Sequence, residues 1–127
     1  MDHRIEKLQA FLDGSVSVFH AVALLEKELI AGGYTRLAEN EAWDIVPGGK
    51  YYTIRGGSAL AAFRIPETAP GGFMISASHS DRPTFKIKEK PELVGGYTRL
   101  AVERYGGMLI APWLDRPQTT ADPARER

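Results

Sequence analysis

The segment SASHSDRPTFKIK (residues 76–88) passes from small residues to a histidine and an aspartate two positions apart, then breaks at Pro83. It continues FMISAS (residues 73–78), a short apolar run that reads as a buried strand ending at His79. Along an extended chain, residues i and i+2 point to the same face, so His79 and Asp81 stand side by side. Open α/β sheets present their ligands at the C-terminal ends of such strands. A metal-binding histidine commonly has a carboxylate partner that sets its tautomer and raises its basicity. The pair therefore marks a candidate metal position, with Pro83 stiffening the exit. The other reading is a polar strand end hydrogen-bonded to a turn.

Upstream, Ile5, Leu8, Phe11 and Leu12 recur at helical spacing, and DGS at 13–15 ends the run. Ser17 is placed to cap a second helix whose apolar stripe runs through Phe19, Val22, Ala23, Leu25, Leu29 and Ile30. Gly32-Gly33 supplies its left-handed stop. The link between the two helices is short and polar, so they are predicted to pack together. Beyond Tyr34 the period changes. EAWDIV leads to a PGG turn at 47–49, and KYYTIR and SALAAFRI flank Gly56-Gly57 as a β-hairpin. PETAPGG at 66–72 is a loop.

Downstream, TFKIKEK, YTRLAVERY and MLIAPWL read as three further strands separated by glycine-containing turns. Lys86, Lys88 and Lys90 alternate with Phe85, Ile87 and Glu89, the pattern of a solvated strand face rather than a nucleic-acid patch. The tail QTTADPARER (118–127) has no large apolar side chain and is expected to be disordered.

Bulk composition removes several classes of function. Sixteen basic side chains balance sixteen acidic ones, so no net field draws the chain to nucleic acid or anionic membrane. Without cysteine there is no disulfide, zinc ribbon or thiol nucleophile, and a metal must be held by His, Asp or Glu. The N-terminus resembles no signal or transit peptide, and no apolar run reaches the roughly 20 residues that span a bilayer. A soluble, cytoplasmic chain is expected. Of the remaining histidines, His3 reads as exposed in a first helical turn. His20, set in SVSVFHAVALL, reads as a hydrogen-bonded, buried or half-buried group. There is no His-Glu-x-x-His pair, phosphate-cradling loop or nucleophile elbow. Ser76, Ser78 and Ser80 lie close to His79 along the strand, but adjacency does not make a nucleophile–base pair.

In order along the chain, FLDGSVSVFHAVALLEKELIAGGYTRLAENEAWDIVPGGKYYTIRGGSALAAFRI, SHSDRPTFKIK and GYTRLAVERYGGMLIAPWLDRP resemble the aspartyl aminopeptidase family of zinc metallopeptidases, which includes the vacuolar aminopeptidase I type. The resemblance covers about residues 8–117. It implies an α/β catalytic domain carrying an inserted β-rich domain that builds dimers and larger homo-oligomers. On that map, residues 1–88 begin the catalytic domain, 89–117 begin the inserted domain, and 118–127 lie outside the family pattern. It further implies that His79 binds one zinc of a two-zinc centre and that Asp81 is the aspartate behind the centre, usually counted as catalytic. The implied reaction is removal of acidic or neutral N-terminal residues from peptides, with a glutamate as base.

Two departures stand out. The family usually has prolines in an SPTPFHAV-like stretch where this chain reads SVSVFHAV (15–22). The remaining ligands of the resembled centre (a bridging aspartate, two glutamates and a final histidine) would follow position 127. After WLDRP the family continues into an apolar strand, whereas this chain reads QTTADPARER. The expectation is a truncated fragment of such an enzyme, inactive alone. The alternative is a non-catalytic assembly fragment that kept the binding surfaces and lost the chemistry.

Overall fold

The computed structural model describes residues 2–68 and 71–121. Helix α1 (His3–Gly14) begins at Asp2, whose carboxylate accepts the Arg4 N–H at 3.0 Å. Its last residue touches the second helix: a β-carbon on Gly14 would lie 2.8 Å from a Leu24 methyl group, so glycine permits the approach. The Ser15 hydroxyl turns back to the Phe11 carbonyl at 2.6 Å.

Helix α2 (Val18–Ala31) is capped by Ser17, as its sequence predicts, and buries Ala21 and Val22. It ends at Gly32, with Gly33 in the left-handed region at φ 77° and the Tyr34 N–H returning to the Leu29 carbonyl at 3.0 Å.

Helix α2 covers a three-stranded sheet of order β1-β2-β3. Strand β1 (Thr35–Arg36) pairs in parallel with β2 (Lys50–Arg55), which pairs antiparallel with β3 (Ala59–Arg64). Adjacent residues of a strand face opposite ways, and β2 uses both faces. Tyr52, 2% exposed, donates its hydroxyl to Glu26 of α2 at 3.0 Å, and Glu26 also pairs with Arg36 of β1. Tyr51 packs on Phe63 on the other face, and Trp43 of the 37–49 loop stacks on the same Phe63. The Tyr51 hydroxyl accepts the Val46 N–H at 3.0 Å, pinning that loop.

The predicted hairpin is present. Gly56 and Gly57 both have positive φ (59° and 70°), as a type I′ turn requires, and the Ser58 N–H reaches the Arg55 carbonyl at 3.2 Å.

The chain divides into two compact units, one of the residues up to Asp81 together with Ala121 and one spanning Arg82–Thr120. In the second, β4 (Thr84–Leu93) pairs antiparallel with β5 (Arg99–Tyr105). The register shifts between Ile87 and Glu92, where Pro91 sits, because proline has no N–H to give to a regular ladder. Phe85 meets Trp113 edge-on at 5.0 Å. The expected division at residue 88 falls within β4.

Two strand expectations are corrected. FMISAS forms no strand among the described residues, and Phe73, Met74 and Ile75 lie exposed without a ladder partner. A strand needs a neighbour for its backbone groups, and apolar character alone supplies none. MLIAPWL contains a helical turn, α3 (Ala111–Leu114), with Pro112 in its first turn, where a missing N–H costs nothing. Within the tail, Gln118 donates to the carbonyls of Trp113 and Arg116, and residues 122–127 lie outside the described residues. No helix among the described residues is long and apolar enough to cross a membrane.

Candidate metal centre

His79 and Asp81 lie in the first unit just before Arg82, on a segment with no sheet partner among the described residues. The i, i+2 relation nevertheless brings them together: His79 Nδ1 lies 2.9 Å from Asp81 Oδ1. With the carboxylate ionised, Nδ1–H donates to it and the lone pair stays on Nε2. The imidazole side chain is 91% exposed and the aspartate 37%, so Nε2 opens outward while the carboxylate is partly sheltered. This is the carboxylate–histidine arrangement seen behind metal-bound imidazoles.

The donor chemistry fits zinc as one ligand with its supporting carboxylate. It does not complete a site, because no group of three or more His, Cys, Asp or Glu residues among the described residues is placed to hold a metal ion. The other two histidines stand where the sequence puts them. His3 is exposed at the start of α1. His20 is half-buried, its Nδ1 2.7 Å from the Ser17 hydroxyl, part of the α2 cap. Lys86 pairs with Glu103 across the two-stranded sheet at 3.4 Å, consistent with a solvated strand face.

One feature near the site was not legible in the sequence. The Ser80 hydroxyl donates to the Ser58 carbonyl at 2.9 Å, joining the His79 segment to the β2–β3 turn. Twenty-two residues separate the partners, and no local pattern signals the contact.

The family model of aminopeptidase I zinc metalloproteases (M18) matches residues 11–122. The probable M18 family aminopeptidase 2 of Pseudomonas entomophila strain L48 is 43% identical over 114 residues, covering 87% of this chain and 27% of that protein. Among solved structures, the Ape4 and Nbr1 complex matches at TM-score 0.80 and 37% identity, over 84% of this chain and 21% of that one. The mApe1 dodecamer of S. cerevisiae matches at TM-score 0.73 and 33% identity, over 90% of this chain and 28% of that one. The mixed α/β architecture expected from the resemblance is thus shared, and the chain spans about a quarter of the length of the curated relatives it matches. On the extent of the family match and on these identities, the chain belongs to the M18 family of aminopeptidase I zinc metalloproteases.

Proposed function

We propose that His79 and Asp81 are this chain's contribution to a two-zinc aminopeptidase centre that removes acidic or neutral N-terminal residues from peptides. The observation that carries the reading is the 2.9 Å contact between His79 Nδ1 and Asp81, which leaves Nε2 as the exposed donor. Asp81 holds the Nδ1 proton and the ring orientation, and it offsets the positive charge that ligation places on the imidazole. When bound, zinc in such a centre supplies Lewis acidity toward the scissile carbonyl and a more acidic water. The 127 residues alone are inactive on this reading, since the described residues assemble no complete ligand set. In its complete form the enzyme is a cytoplasmic homo-oligomer acting on peptides, not on nucleic acid or at a membrane. The balanced charge of the chain and the dodecamer formed by the matched S. cerevisiae protein support that part.

The test is a chimera in which residues 8–117 replace the matching quarter of the Pseudomonas aminopeptidase. It should hydrolyse an aspartyl or leucyl nitroanilide, and His79→Ala should abolish turnover and lower the zinc content. A fully active His79→Ala chimera would sink the assignment. Robust turnover by the 127 residues alone would overturn their inactivity.

The exposed Phe73–Ile75 run favours a second reading, a non-catalytic fragment that docks on a full-length relative by strand addition. Failure to co-elute with such a relative in size-exclusion chromatography removes it.

A further inference from the structure

We propose that Ser80 is a positioning residue for the metal-ligand pair, holding His79 and Asp81 against the β2–β3 turn through its hydrogen bond to the Ser58 carbonyl. The inference rests on the reading of His79 as a zinc ligand. The chain bends at Ser80, so that His79 and Asp81 meet each other across the bend while the Ser80 side chain turns to the hairpin. The two contacts are 2.9 Å each, His79 Nδ1 to Asp81 and the Ser80 hydroxyl to the Ser58 carbonyl.

The anchor is a well-supported part of the first unit. Ser58 follows Gly56 and Gly57 in a turn that closes on the Arg55 carbonyl. A β-carbon on Gly57 would stand 3.4 Å from the Phe19 ring, so the turn rests against α2. Helix α2 is in turn set at this end by its Ser17 cap. Residues 73–79, by contrast, take part in no strand. A histidine on such a segment has no ladder to fix its height or direction, and metal affinity depends on having the ligand already in place. One hydrogen bond at residue 80 restrains both neighbours at once.

The experiment uses the complete 127-residue chain and zinc alone, with affinity read by competition against a chromogenic chelator. Ser80→Ala should weaken zinc binding about three- to tenfold, the range of one ordinary hydrogen bond. Ser80→Thr keeps the hydroxyl and should restore wild-type affinity. In the metal-free chain, the heteronuclear NOE of the His79 and Asp81 amides should fall in Ser80→Ala while amides of α2 stay unchanged. Unaltered affinity in Ser80→Ala overturns the proposal, whatever happens to the NOE. So does a weakened affinity that Ser80→Thr fails to rescue. The underlying reading fails separately: a His79→Ala chain that binds zinc like wild type removes it, and the role of Ser80 with it. Loss of binding in His79→Ala with none in Ser80→Ala removes only the role of Ser80.

Discussion

The placement of one proton decides what His79 offers a metal. With Nδ1–H held by Asp81, the open nitrogen is a lone-pair donor. Replacing Asp81 by alanine frees the ring to rotate and exchange tautomers, and zinc affinity should drop about tenfold or more, measured by chelator competition. An unchanged affinity would show that the carboxylate contributes nothing to the ligand. A second single-residue effect lies far from the site. The Tyr52 phenol is pushed above its ordinary value of 10.0, first by burial and then by Glu26, which accepts its hydrogen bond; Arg36 opposes this. The folded state therefore holds that proton more tightly than the unfolded state does. Its contribution to stability is complete below about pH 10 and is lost as pH rises through the raised value. Tyr52→Phe should therefore flatten the fall in thermal midpoint as pH rises above about 10. An equal slope in both proteins would show that Tyr52 does not titrate with unfolding.

At the scale of elements, short-range chemistry governs where α2 and the hairpin begin and end. Ser17→Ala removes the side-chain acceptor for the His20 N–H and should cost about 1 kcal/mol, read by chemical denaturation. Gly57→Ala imposes a side chain at φ 70° and brings it to 3.4 Å from Phe19. It should destabilise the first unit by about 1 kcal/mol or more, and wild-type stability would show that the turn is not constrained. These features were legible because caps, stops and primed turns depend on residues close in sequence. The two failed strand expectations have a different origin. FMISAS and MLIAPWL are apolar, but an apolar run of this length does not by itself specify a strand. Pro112 settled one case by favouring a first helical turn, and the lack of a neighbouring strand among the described residues settled the other.

For the whole molecule, the burial is lopsided. Among the described residues, Tyr51, Tyr52, Ala21 and Val22 are the buried apolar side chains, while Phe73, at 93% exposure, leads a contiguous run of exposed apolar side chains. Patches of this kind promote association in water, and the balanced charge of the chain gives little repulsion against it. The 127-residue chain should therefore associate as concentration rises. Phe73→Ser together with Ile75→Ser should reduce that, with light scattering after size-exclusion as the measurement. Association that persists undiminished would place the sticky surface elsewhere.

By itself the sequence determined helices α1 and α2, the Ser17 cap, the hairpin and the nearness of His79 to Asp81, because each depends on periodicity or on residues within a few positions. Its ordered motifs also carried the family. Tertiary structure alone decided that Ser80 ties to Ser58, that Glu26 joins Tyr52 to Arg36, and that the apolar run before His79 has no strand beside it among the described residues. Those outcomes depend on which distant groups the fold brings within hydrogen-bonding range, and a backbone or side-chain donor gains its partner only when another element arrives beside it.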